Sequence, residues 1–195
     1  VKILVSCEYS GAVRREFRNK GHDAWSCDLL PAEDGSPYHI EADARYPLLS
    51  ESWDMIIAFP PCTYLCSSGL HWNTRRPNRK RLTGEAQTFF MLHLRLDVPK
   101  IAIENPIGCM STFYRKPDQI IQPWQFGHPE SKSTCLWLKG LPKLVPTNIL
   151  AKPECGYWDN QTPSGQNKLG PSPKRALERS RTYAGIAKAM AEQWE

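Results

Sequence analysis

The stretch Lys2–Gly21, KILVSCEYSGAVRREFRNKG, sets the frame for the whole chain. A short apolar run, KILVS, has the length and composition of a buried strand. It breaks at CEYSG, and an amphipathic segment follows that predicts a helix ending at Gly21, where a left-handed residue is cheap. Strand, polar turn, helix is the opening unit of a βαβ fold. The pattern then repeats. AWSCD (24–28), HIEAD (39–43), WDMIIAF (53–59) and KIAIEN (100–105) read as further strands, with EAQTFFMLHLRLD (85–97) as a helix between the last two. Such alternation predicts a Rossmann-like α/β fold with a mostly parallel sheet.

After Pro106 the character changes. DQIIQPWQFG (118–127) and STCLWLKG (133–140) read as two strands joined through HPESK (128–132), a hairpin that adds an antiparallel element at the end of the sheet. Residues 141–174 are rich in Pro, Gly and Asn and read as loop, and TYAGIAKAMAEQW (182–194) predicts a last helix. No internal repeat or boundary divides the 195 residues, so one domain over 1–195 is expected.

Composition narrows the function classes. Apolar residues make up 41% and charged residues 23%, which suits a water-soluble globular protein. No apolar stretch reaches membrane-spanning length, so no membrane partner is expected. Seven cysteines at irregular spacing argue against a disulfide framework and for a reducing, cytoplasmic setting. They supply no paired zinc-ligand spacing, so no metal is expected. HWNTRRPNRKRLTG (71–84) carries Arg75, Arg76, Arg79, Lys80 and Arg81 without an acidic residue, a pattern suited to a polyanion such as DNA.

Ligands of open α/β sheets sit beyond the carboxyl ends of the strands. That rule collects Glu8, Asp28, Asp43, Cys62 and Glu104 on one edge. An acid after a strand can equally cap the next helix, and for Asp43 the two readings weigh about the same. Cys62 ends the stretch AFPPC, where two prolines stiffen the turn. Glu104 and Asn105 end the next strand, which brings them close to Cys62 if the two strands are parallel neighbours. A thiolate attacking a ring while a carboxylic acid protonates a ring nitrogen is a means of activating a pyrimidine.

FPPC, followed by ENP and preceded by SCEYSG, resembles the DNA cytosine-5-methyltransferase family, in particular the short methylase-like members carried by phages and prophages. The resemblance implies a methyltransferase fold, S-adenosylmethionine as cofactor and DNA as partner. Carried over residue by residue, Cys62 is the nucleophile toward carbon 6 of cytosine, Glu104 contacts ring nitrogen 3, and Asn105 orders the cysteine turn. Glu8, Tyr9, Ser10, Gly11 and Pro60 fall with the cofactor turn. Asp28 corresponds to the acid at the ribose hydroxyls, and Asp43 to the one at the adenine amine.

The chain also departs from the family pattern. Two glycines of the cofactor turn are replaced by Val13 and Arg14. In FGHPESKST the family's two arginines become Lys132 and Thr134, and Lys132 or an arginine of the basic loop is the candidate to replace the missing charge at Glu104. Only the Pro/Gly-rich stretch stands where the family inserts a target-recognition domain. Three other readings stay open. A methylase of exocyclic amines ranks low, because Phe59 and Cys62 stand where that class has a polar first residue and an aromatic last one. The others are a methylase of free cytosine nucleotides and an inactive relative that binds nucleic acid or a host protein.

Overall fold

A computed structural model describes residues 1–170, 172 and 175–194. Seven strands form one sheet in the order β3-β2-β1-β4-β5-β7-β6. The first five are β1 (Lys2–Ser6), β2 (Asp23–Asp28), β3 (His39–Glu41), β4 (Met55–Ala58) and β5 (Lys100–Pro106). All four pairings among them are parallel. β6 (Gln119–Ile121) and β7 (Thr134–Lys139) complete the sheet, and β7 runs antiparallel to both β5 and β6.

The central strands are hydrophobic throughout because both faces of the sheet are covered. One layer packs Ile3, Val5, Met55 and Ile57 against Val13 and Phe17 of α1 (Ala12–Asn19) and against Ile186, Met190 and Trp194 at α7 (Ala184–Gln193). The other packs Leu4, Ile56, Ile101 and Ile103 against Leu48 of α2 (Arg45–Ser50) and Phe90 of α4 (Arg79–Arg95). Alternate residues of one strand therefore serve opposite layers, as the period of two requires.

Three local expectations change. The 118–127 run is a strand only as far as Ile121. Pro123 cannot donate to a ladder, and it opens a single 3-10 turn, Pro123–Gln125, closed by reciprocal bonds between Gln122 and Gln125. The link to β7 is consequently a packed loop rather than a tight hairpin. The 85–97 helix begins six residues earlier, inside the basic run, because Asn78 takes a left-handed conformation (φ 61°) directly before Arg79. Two short helices, α3 (Ser67–Leu70) and α5 (Met110–Phe113), follow β4 and β5, and α6 (Arg175–Ser180) follows the long loop. The end of the expected 141–174 loop, at Pro171, Pro173 and Lys174, lies outside the described residues.

From β1 the chain moves outward to β2 and β3, then returns to β4 on the other side of β1. The crevice between the carboxyl ends of β1 and β4 is the switch point at which such sheets take their ligands.

Candidate active site

Glu8, at the mouth of that crevice, is 3% exposed. Its Oε1 accepts the Val13 N–H at 2.7 Å and its Oε2 the Arg14 N–H at 3.2 Å. Both oxygens are committed to the first turn of α1, so this acid caps the helix. Burial nevertheless pushes its carboxyl up to about 7, against the pull of those two donors and the neighbouring arginines.

Gly11 adopts φ +66° under the Arg14 guanidinium, where a Cβ would collide with it. Arg14 itself is 1% exposed; it donates to Ser26 Oγ at 3.0 Å and pairs with Asp34. The residue in the family's glycine position thus ties α1 to β2 and to the loop after it. Ser10 Oγ accepts the Ala12 N–H at 3.4 Å, and the buried Tyr9 phenol donates to Leu177 O in α6 at 2.9 Å.

A cavity of about 210 Å³ opens beside this turn, lined by Cys7, Asp28, Leu29, Asp43, Pro61 and Phe89, among others. Asp28 Oδ1 accepts the Leu30 N–H at 3.0 Å. Asp43 accepts from the Arg45 backbone at 2.9 Å and from the Arg45 guanidinium at 2.7 Å. Two carboxylates set into apolar walls suit a nucleoside, with hydroxyl or amine donors at the acids and a ring between Leu29, Pro61 and Phe89. These acceptors fit the hydroxyl and amine donors of the adenosine half of S-adenosylmethionine. Arg45 is what the sequence did not indicate, since it competes for the Asp43 carboxylate.

On the β5 side of the crevice, Ala58 and Ile103 are register partners, so the turn after β4 and Glu104 lie at one level. Asn105, 1% exposed, donates its Nδ2 to Pro60 O at 2.7 Å. Past the prolines, Leu65 N and Cys66 N both bond to Cys62 O, so Cys62 opens one helical turn. This turn is fastened from the other side: Cys109 N donates to Leu65 O at 2.8 Å, and Ser67 N to Ile107 O at 3.1 Å. Gly108 is required there, because a Cβ would run into the Leu65 carbonyl.

Burial pushes the Cys62 thiol above the ordinary 9.0; the Cys66 and Glu104 charges add to that, and Lys132 opposes it. Burial likewise raises the Glu104 carboxyl, against the Lys132 ammonium and a hydrogen bond from Thr134. Burial therefore works against the charged form of both groups. Lys132 Nζ donates to Arg179 O at the end of α6 at 2.9 Å, which anchors the ammonium between α6 and the pair. The family's arginine positions are thus a hydroxyl that bonds Glu104 and an ammonium whose charge reaches both Cys62 and Glu104.

The basic segment is not uniform. Arg75 and Lys80 are exposed, and Arg76 lies 4.1 Å from the Trp72 ring centroid. Arg81 pairs with Glu85 one turn along α4. Arg79 instead turns inward. Its Nη2 donates to Thr63 O at 2.6 Å, and its guanidinium covers the Tyr64 ring at 4.3 Å. Among the described residues no group of three His, Cys, Asp or Glu side chains is placed to hold a metal ion. No helix among them is long and apolar enough to cross a membrane.

No family model and no curated protein matches the chain. Among solved structures, it is similar to a protein described as a candidate DNA modification methyltransferase encoded within an Escherichia coli prophage. The two share 16% identity at a TM-score of 0.49, over 77% of this chain and 52% of that one. An Entamoeba histolytica methyltransferase gives 16% identity and a TM-score of 0.49, over 77% and 57%. An Escherichia coli rRNA methylase gives 11% and 0.41, over 70% and 56%. The chain spans little more than half the length of each. The fold itself is mixed α/β, with a mostly parallel seven-stranded sheet that ends in an antiparallel strand pair.

Proposed function

We propose that the chain transfers a methyl group from S-adenosylmethionine to carbon 5 of cytosine in DNA, with Cys62 as the nucleophile. The observation that carries this reading is the juxtaposition of Cys62 and Glu104 on neighbouring parallel strand ends, locked by the bond from Asn105 to Pro60.

When bound, S-adenosylmethionine supplies an electrophilic methyl group. The Cys62 thiol gives its proton to water, and the thiolate forms a bond from sulfur to carbon 6 of the ring, which pushes electron density toward carbon 5. Glu104, whose hold on its proton burial strengthens, donates that proton to ring nitrogen 3 and neutralises the charge that develops there. Lys132 stabilises the thiolate and the carboxylate left after that donation. After carbon 5 has taken the methyl group, loss of its proton to water expels the Cys62 thiolate, and ring nitrogen 3 returns its proton to the Glu104 carboxylate, which restores the neutral ring. Glu8 and Gly11 shape the turn beside the cofactor cavity, and Asp28 and Asp43 hold the adenosine half. Arg75, Arg76 and Lys80 offer cations to the DNA backbone.

The test is label transfer from S-adenosylmethionine to single-stranded DNA, double-stranded DNA, RNA and deoxycytidine monophosphate, followed by nucleoside analysis. The expected product is 5-methylcytosine in DNA, lost in Cys62→Ala and Cys62→Ser. Covalent trapping by 5-fluorocytosine DNA is expected for the wild type alone. A product methylated elsewhere, or full activity in either variant, overturns the reading.

A further inference from the structure

We propose that Arg79 is a positioning residue for Cys62, fixing the nucleophile turn and linking it to the cations of its own segment. This inference rests on the reading of Cys62 as the nucleophile. The turn of Cys62 is held at three places. Asn105 fixes the residue two before it, and the loop 107–109 fixes Leu65 and Ser67. The third hold is Arg79, sixteen residues along the chain, whose Nη2 takes the carbonyl of Thr63, the residue directly after Cys62.

The space for this contact is built in. A Cβ on Gly69 would stand 2.9 Å from Arg79 Nη2 and 3.2 Å from Thr63 O, so the guanidinium occupies room that only glycine leaves. One face of the guanidinium is covered by the Tyr64 ring, a contact a lysine ammonium does not reproduce. Among the described residues the buried Arg79 Nε–H has no acceptor, so the side chain keeps its inward pose at the expense of a solvated donor. A cation that served only to attract phosphate would have no reason to accept that loss.

Arg79 bonds the backbone carbonyl next to Cys62, so it acts on the nucleophile through backbone position. Its helical neighbour Lys80 is exposed, with Arg75 on the same segment. A polyanion seated on those two cations bears on the first turn of α4, and Arg79 carries that displacement to Thr63. The site thereby senses an occupied nucleic-acid surface in the geometry of its nucleophile.

The experiment measures alkylation of Cys62 by iodoacetamide through peptide mass mapping, with the exposed Cys155 as the internal reference. Wild type, Arg79→Ala and Arg79→Lys are compared, with and without a DNA oligonucleotide. Loosening the turn should raise Cys62 alkylation in Arg79→Ala by about threefold or more relative to Cys155. The lysine variant should fall between alanine and wild type. Any smaller change in Arg79→Ala overturns the proposal.

Gly69→Ala displaces the same guanidinium without removing it, and should give the same rise if Arg79→Ala fails to fold. Where methyl transfer is detected, Arg79→Ala should lower kcat by about tenfold or more, with KM for DNA within about threefold. Arg75→Ala with Lys80→Ala should instead raise KM. A rise in KM alone for Arg79→Ala identifies a phosphate contact and overturns the proposal. If no acceptor is methylated by wild type, the cytosine reading fails, and the alkylation result by itself still decides the role of Arg79.

Discussion

Asn105 donates its side-chain amide to the carbonyl oxygen of Pro60 at 2.7 Å, so the strand that carries Glu104 also holds the turn that presents Cys62. Acid and nucleophile are therefore placed by one buried bond. Asn105 Oδ1 has no partner among the described residues, so this contact depends on a single donor. Asn105→Ala leaves the Pro60 carbonyl unsatisfied, at a cost of about 1–3 kcal/mol. Urea denaturation should show that loss, with methyl transfer falling further than stability does. Stability and activity that are both unchanged would remove Asn105 from the site.

Gly108→Ala places a methyl group against the Leu65 carbonyl, where the surrounding atoms are backbone and have little room to shift. The expected loss is about 1–3 kcal/mol, together with a steep fall in activity, because the loop pairing at Cys66 and Gly108 is disrupted. A fully active variant would mean that this clamp does not set the position of Cys62.

The pH–rate profile should have its alkaline limb set by the acid and its acid limb by the thiol. Cys62 lies above the ordinary 9.0, so alkylation of the free enzyme at Cys62 should keep rising past that pH. Glu104 is raised above the ordinary 4.5, so its proton-donating form persists farther toward neutrality than that of a solvated glutamate. Cys62 alkylation that reaches a plateau below pH 8 would show a thiolate stabilised in the free site, contrary to the burial seen here.

Two buried groups give stability slopes of opposite sign. Glu8, raised from 4.5 to about 7, favours the fold when protonated; its contribution is full below 4.5 and is lost as pH rises through 7. His93, lowered from 6.5 to about 4 by burial beside Ser6, contributes fully above 6.5 and loses that contribution as pH falls toward 4. Each is worth on the order of 3 kcal/mol across its window. Glu8→Gln should remove the first slope and leave stability rising from pH 4 to 6.5. Urea midpoints for wild type and variant that differ by a constant across pH 4–8 would rule out the Glu8 shift.

Asp28→Ala should weaken binding of S-adenosylhomocysteine by about tenfold, as expected for loss of one hydrogen bond to a charged group. Arg45→Ala is the companion measurement by calorimetry. It frees the Asp43 carboxylate, so it should tighten binding if Asp43 meets the adenine amine. Unchanged binding in both variants would place the adenosine outside this cavity.

The sequence by itself determined the elements and the polarity of the sheet. KILVS, WDMIIAF and KIAIEN are short, apolar and uninterrupted, which only a strand covered on both faces tolerates, and they became β1, β4 and β5. It also put Cys62, Glu104, Asp28 and Asp43 at strand ends, because that placement follows from local chain order. Only the tertiary structure decided which charged groups are free. Glu8 is spent on the N–H groups of Val13 and Arg14, Asp43 on Arg45, and Arg79 on Thr63. A run such as RRPNRKR reads as uniform cation in sequence, since formal charge does not depend on direction. Packing breaks that uniformity: a left-handed Asn78 starts α4, and the geometry of the helix then turns Arg79 inward while Lys80 remains exposed. Arg79 and Thr63 are sixteen residues apart, so no local pattern in the sequence encodes that contact, whereas Glu8 and Asp43 take partners within six residues whose geometry only the folded turn sets.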